Sequence, residues 1–214
     1  MMHIGKQFPN LDVKAMDYMG DTLTINALNE AREKKMKVLL FWYPKDFTYV
    51  CPTELHAFQE ALPEFEKRNT LVIGASCDTP EVHFAWLNTA KDNGGIEGIT
   101  YPLIADSNRN LSSTLGILDS TPKNHVNGET LTLLDGDPVT FRATSLSGAA
   151  GTVFLEGINH MPLGRNVQEY IRLVDAYTHF QQKGEVCPAN WEDGERALDA
   201  NSKSVADYLS ASAN

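Results

Sequence analysis

Two short apolar runs constrain this chain more than any other feature. Lys37-Val38-Leu39-Leu40-Phe41-Trp42-Tyr43 and Leu71-Val72-Ile73-Gly74-Ala75-Ser76 show no apolar–polar alternation. Strands that read this way are buried on both faces, so helices must cover both sides of their sheet. Between the runs, Leu55, Phe58, Leu62 and Phe65 recur at helical spacing. Pro63 falls inside that pattern and is predicted to kink the helix or end it early. After the second run, Asp78-Thr79-Pro80-Glu81 opens a further helix carrying Val82, Phe84, Ala85, Trp86 and Ala90. The order strand, helix, strand, helix predicts a parallel sheet with right-handed crossovers.

Downstream, residues 139–146 and 152–158 are predicted to form a hairpin around residues 148–151. The stretch Ser145-Leu146-Ser147-Gly148-Ala149-Ala150-Gly151 suggests a frayed sheet edge there. Val167, Tyr170, Ile171, Val174 and Tyr177 mark an amphipathic helix. From Gln181 onward few apolar residues remain, so an extended tail with a short helix near residues 202–209 is expected. A tail this polar is expected to lie on a partner subunit rather than hold itself down. The expected division is therefore a body over residues 1–180 and a tail over 181–214.

Composition narrows the function classes. A length of 214 residues with 42% hydrophobic content suits one full core. The net charge of -10 argues against a nucleic-acid partner. No apolar run approaches the ~20 residues that cross a bilayer. Residues 1–7 lack the apolar stretch of a secretory leader. Three cysteines, an odd count, do not suit a secreted disulfide framework. A reducing, cytoplasmic setting is expected, in which any disulfide is transient and catalytic.

Cys51 carries the chemistry. Pro44, Thr48 and Cys51 stand in a P-x-x-x-T-x-x-C arrangement between an apolar strand and a helix. A free thiol with a pKa of roughly 8.5 is only about 3% thiolate at pH 7. A helix N-terminus offers backbone N–H groups and positive dipole, which favour a thiolate. Pro52 suits the first helical turn, so Cys51 is placed at the helix mouth. Thr48 is close enough in sequence to bond the sulfur or a bound oxygen, and Pro44 stiffens the loop. Glu54 is suited to orienting an arginine through a bidentate pair. The bland alternative is an inert core cysteine, but such residues seldom sit between prolines. Cys77, at the end of a buried strand, reads as a small hydrophobe. Six scattered histidines and the lack of C-x-x-C argue against a metal site; no cofactor is expected.

The run Phe47-Thr48-Tyr49-Val50-Cys51-Pro52-Thr53-Glu54 resembles the active-site loop of the peroxiredoxins. Gly184-Glu185-Val186-Cys187-Pro188-Ala189-Asn190-Trp191 resembles the resolving segment of their typical two-cysteine branch, which includes bacterial alkyl hydroperoxide reductase C proteins. Residues 78–88, Tyr101-Pro102-Leu103-Ile104-Ala105-Asp106 and Met161-Pro162-Leu163-Gly164-Arg165-Asn166 extend the likeness. The resemblance implies an α/β thioredoxin-like fold, with a central mixed sheet flanked by helices and an extended C-terminal tail. It implies a thiol peroxidase acting on hydrogen peroxide and organic hydroperoxides. Cys51 would form a sulfenic acid, and Cys187 of a second subunit would trap it as a disulfide. A thioredoxin-like or flavoprotein disulfide reductant would close the cycle. By matched position, Arg142 and Arg165 stand near the thiolate; the plain alternative for each is a surface ion pair. A homodimer, assembling to a decamer, is likewise implied.

Two other function classes fit a peroxiredoxin-like chain: a peroxide relay that oxidises a client protein, and a ring-shaped holdase indifferent to Cys51. Three stretches depart from the family pattern: a longer, polar excursion over residues 119–138, the polar residues 145–151, and Tyr49 in place of Phe. Asn93-Gly94-Gly95-Ile96-Glu97-Gly98 and Tyr208-Leu209 resemble marks of overoxidation-sensitive members. They suggest a tail helix that slows resolution.

Overall fold

The structure, a computed structural model, describes residues 3–119, 121–126, 129–135 and 139–212. It divides into two compact units, Met1–Arg165 and Asn166–Asn214.

The first unit is built on a seven-stranded mixed sheet. In chain order come β1 (Val13–Met16), β2 (Thr22–Ile25), α1 (Ala27–Lys34), β3 (Lys37–Trp42), α2 (Cys51–Glu60), α3 (Leu62–Lys67) and β4 (Thr70–Ser76). These are followed by α4 (Pro80–Leu87), β5 (Leu103–Ala105), α5 (Asn110–Leu115), β6 (Thr121–Val126), β7 (Glu129–Asp135), β8 (Arg142–Ser147) and β9 (Val153–Asn159). The strand order is β2-β1-β5-β4-β3-β8-β9. As expected, β3, β4 and β5 run parallel and are joined through helices. The flanking pairs β1/β5 and β3/β8 are antiparallel, which makes the sheet mixed.

The apolar run of β3 serves two cores through the two-residue period of a strand. Val38, Leu40 and Trp42 join Ile73, Ala75, Ile104, Leu28 and Leu111 in one buried cluster. Phe41 faces the other way and stacks on Phe58 of α2 at 4.0 Å, with Tyr101 at 5.7 Å. The helix after Cys51 does break near Pro63, with Ala61 joining α2 to α3. Both halves still send an aromatic ring inward, Phe58 and Phe65.

Two local expectations need correction, and one stretch gains structure. α4 buries Pro80, His83, Trp86 and Leu87, whereas Phe84 is 45% exposed. The inward stripe follows i, i+3, i+6/i+7 from Pro80, and a histidine occupies a position where an apolar residue was sought. The polar end of β8 is not a frayed edge. β8 lies between β3 and β9, and Ser145 and Ser147 are buried there. The sheet's edge strands are β2 and β9, and residues 5–7 pair with the start of β9. The excursion over residues 119–138 contains a separate two-stranded hairpin, β6/β7; residues 120, 127–128 and 136–138 of that excursion lie outside the described ones.

The second unit holds α6 (Val167–Lys183) and α7 (Ser202–Ser212). Asn166 caps α6 by accepting from the Gln168 N–H, and Gly184 ends it in the left-handed conformation that glycine tolerates. The segment after α6 is tied within its own unit, contrary to the expectation of a tail held only by a partner. Val186 and Leu198 exchange backbone hydrogen bonds at 2.7 and 3.0 Å. The Trp191 carbonyl accepts from Arg172 of α6 at 3.0 Å. The Trp191 ring lies 4.9 Å from that of His179.

Candidate active site

Cys51 is the first residue of α2, with Pro52 in the opening turn, and its side chain is buried. All three cysteines are free thiols. A cavity of about 370 Å³ opens onto Cys51 and is lined by Pro44, Thr48, Tyr49, Val50, Arg142, Met161 and Pro162. Its walls are mostly apolar, so few groups compete with the sulfur for a polar ligand.

Arg142 begins β8 and reaches across to the helix mouth. Its Nη1 donates to Cys51 Sγ at 3.4 Å and to Glu54 Oε2 at 2.6 Å. Its Nε donates to the Met161 carbonyl at 2.6 Å. Glu54, one turn into α2, forms a fork with Arg165: Nε to Oε1 at 2.8 Å and Nη2 to Oε2 at 2.9 Å. The Arg165 backbone N–H adds a third bond to Oε1 at 2.9 Å. Arg165 itself is shelved on the aromatic core, 5.1 Å from the Phe41 centroid and 5.7 Å from that of Phe58. The exposed side-chain fractions are 4% for Arg142, 0% for Arg165 and 3% for Glu54.

These numbers decide the electrostatics. Two buried guanidiniums face one buried carboxylate, leaving one formal positive charge uncompensated within the trio. Arg142 turns that charge toward the Cys51 sulfur, 3.4 Å from its Nη1. Burial strengthens that attraction, because few water dipoles screen it. The trio therefore presents positive charge to the sulfur and to any oxygen held beside it.

Thr48 points its hydroxyl proton elsewhere, donating to the Lys45 carbonyl at 2.8 Å. Its oxygen keeps lone pairs at the cavity wall, so it is arranged as an acceptor toward a ligand O–H. Cys77 lies apart from the cavity, with Sγ 3.7 Å from Ser112 Oγ. Burial raises its pKa to about 11. Cys187 belongs to the second unit, where its thiol donates to the Ala176 carbonyl at 3.6 Å.

A buried set that sequence reasoning passed over holds the loop between β3 and α2. Asp46 Oδ2 and His83 Nδ1 are 2.7 Å apart, with side chains 1% and 0% exposed. His83 Nε2 faces the Ile104 carbonyl at 3.1 Å and so must carry a hydrogen. The short Asp46–His83 contact then needs a second, shared proton. Both groups are pushed toward keeping it. Burial raises Asp46; at His83 the Asp46 contact and the Ile104 carbonyl outweigh the opposing effect of burial. The Asp46 N–H also donates to Asp78 Oδ2 at 2.9 Å. These ties offset strain next door, where Phe47 sits at φ 54, a left-handed conformation that costs a bulky residue on the order of 1 kcal/mol or more. The signal for His83 was its place on the Pro80–Trp86 face of α4.

A helix-mouth cysteine beside a buried cationic trio, on a mixed sheet of this order, defines a thiol-dependent enzyme rather than a binding module. The comparisons narrow the class. The AhpC/TSA family model matches residues 4–154, and the model for the C-terminal domain of 1-Cys peroxiredoxin matches residues 176–211. The alkyl hydroperoxide reductase C of Helicobacter pylori is 38% identical over 175 residues, covering 82% of this chain and 80% of its own. Peroxiredoxin-2 of Bos taurus is 36% identical over 211 residues, covering 97% and 95%. A reduced 2-Cys peroxiredoxin of Plasmodium vivax superposes with a TM-score of 0.86 at 33% identity, over 98% of this chain and 100% of its own. The chain belongs to the AhpC/TSA family of peroxiredoxins. It has their thioredoxin-like fold and is a thiol peroxidase. Among the described residues no helix is long and apolar enough to cross a membrane.

Proposed function

We propose that Cys51 is the peroxidatic cysteine and that its thiolate reduces hydrogen peroxide and organic hydroperoxides. The observation that carries this reading is the 3.4 Å contact from Arg142 Nη1 to the buried Cys51 Sγ at the floor of a cavity. The sulfur attacks one peroxide oxygen along the O–O bond. The S–O bond forms, the O–O bond breaks, and the other oxygen leaves as water or alcohol after taking a proton. Arg142 stabilises the sulfur anion and the departing oxygen. Glu54 and Arg165 hold Arg142 in place, Thr48 accepts a hydrogen bond from the peroxide, and Pro44 helps to exclude water.

In the second step Cys187 of a partner subunit condenses with the Cys51 sulfenic acid. An S–S bond forms and the sulfenic oxygen leaves as water. An external dithiol, on a thioredoxin-like or flavoprotein reductant, restores both thiols by exchange. This functional division puts the catalytic body at residues 1–180 and the resolving tail at 181–214, whereas the division by compactness falls after Arg165. The acting form we infer is a cytoplasmic homodimer that assembles to a decamer. Two features support association: the far end of the β9 edge, where Ile158 is 57% exposed, and the exposed apolar side chains of Phe47, Phe84 and Met19, at 54%, 45% and 70%.

Non-reducing electrophoresis after one equivalent of peroxide tests the cycle. A disulfide-linked dimer should form in wild type and in Cys77→Ser, and should be absent from Cys51→Ser and Cys187→Ser. Loss in Cys77→Ser alone would overturn the assignment.

A further inference from the structure

In the second unit, the chain leaving α6 is extended, and Val186 pairs with Leu198. Side chains alternate along an extended segment, so Glu185 and Cys187 share the side opposite Val186. Each is tied to α6. Cys187 donates its S–H to the Ala176 carbonyl at 3.6 Å. Glu185 Oε2 lies 2.7 Å from His179 Nε2, one helical turn further along. The two ties run side by side, because residues 176 and 179 are i and i+3 neighbours on one helix face. The His179 ring is itself held against Trp191 at 4.9 Å, and its side chain is 9% exposed. Burial, opposed by Arg172 and assisted by Glu185, raises the Cys187 thiol above its ordinary value.

We propose that His179 is a positioning residue for resolution: its bond to Glu185 latches the segment that carries Cys187 onto α6 and so limits the rate at which Cys187 can leave. The inference rests on the reading of Cys187 as the resolving thiol. To react, Cys187 must break its bond to Ala176 and carry residues 185–187 off the helix. The His179–Glu185 pair must open in the same movement. Resolution then proceeds only from the released fraction, with the Cys187 S–H proton leaving as part of the water formed from the Cys51 sulfenic hydroxyl. A tighter latch lengthens the life of the sulfenic acid and leaves it open to a second peroxide. The latch lies within the second unit and needs no contact with the Cys51 pocket.

Stopped-flow oxidation of the full-length reduced protein, read by tryptophan fluorescence, separates the steps. The sulfenic-acid phase scales with peroxide concentration, whereas disulfide formation does not. His179→Phe keeps a ring against Trp191 but removes the bond to Glu185. It should raise the peroxide-independent rate about two- to fivefold, the kinetic equivalent of losing one partly solvated side-chain contact. Glu185→Gln should raise it less, and His179→Gln, which can still donate to Glu185, should return it toward wild type. The peroxide-dependent rate should stay unchanged in all three. Sulfinic acid formed per turnover, measured by mass spectrometry, should fall by the same factor as resolution rises. An unchanged or slower peroxide-independent phase in both His179→Phe and Glu185→Gln overturns the latch. Persistence of that phase in Cys187→Ser overturns the reading beneath it, and the latch with it.

Discussion

Replacing Glu54 with alanine should be among the most damaging single changes to this fold, although Glu54 does not touch the sulfur. The carboxylate is 3% exposed and lies between two guanidiniums that are 4% and 0% exposed. Removing it leaves both cations buried without their counter-charge. It also strips four side-chain and backbone donors of their acceptor, namely Arg142 Nη1 and Arg165 N, Nε and Nη2. Breaking a buried ion pair from one side costs roughly 3–5 kcal/mol. At about 2–4 °C per kcal/mol for a chain of this size, the midpoint should fall by roughly 6–20 °C. Urea unfolding of reduced protein at pH 7, followed by circular dichroism at one fixed protein concentration, measures the loss. Fixed concentration matters because association shifts apparent stability by mass action. Glu54→Gln, which keeps the shape and one acceptor, should lose less than Glu54→Ala. A loss below about 1 kcal/mol in Glu54→Ala would refute the reasoning, since that is the scale of a solvated surface pair.

Three further outcomes follow from the buried titratable groups. The His83 value is raised above the ordinary 6.5, so the contribution of His83 to stability is complete below about pH 6.5 and is lost as pH rises through the elevated value. Hydrogen exchange of residues 44–50 should accelerate across that rise in wild type, and His83→Gln should flatten the dependence. Cys77, raised to about 11, should be the last of the three thiols to react with iodoacetamide at pH 8 in the folded protein. Its contribution to stability is complete below about pH 9 and lost toward pH 11, so Cys77→Val should lessen the fall in urea midpoint over that window.

Much of the architecture was legible because it rests on short-range periodicity. Continuous apolar runs marked β3 and β4, and a break near Pro63 separated α2 from α3. The errors fell where a residue's environment is set by distant chain. Ser145 and Ser147 read as a weak edge because they are polar. Tertiary pairing places them inside the sheet between β3 and β9, where strand backbone on both sides completes the hydrogen-bond ladder. Phe84 read as core and His83 as incidental. The helix turns His83 inward, where an acid and a carbonyl 37 and 21 residues away make a buried histidine tolerable. The tail read as dependent on a partner because its composition is polar, yet Trp191 and Leu198 tie it within its own unit.

By itself, the sequence determined where a reactive thiol could stand. A cysteine ahead of a proline, after an apolar strand and before a 3.6-period segment, is bound to open a helix, and local backbone geometry is enough to put it there. The charge around that thiol was a different matter. Glu54, Arg142 and Arg165 are far apart along the chain, and each alone could have been a solvated surface residue. Only the crossing of α2 with β8 and the segment ending at Arg165 removes water from all three together. That burial is what turns three ordinary charged side chains into a net positive charge directed at one sulfur.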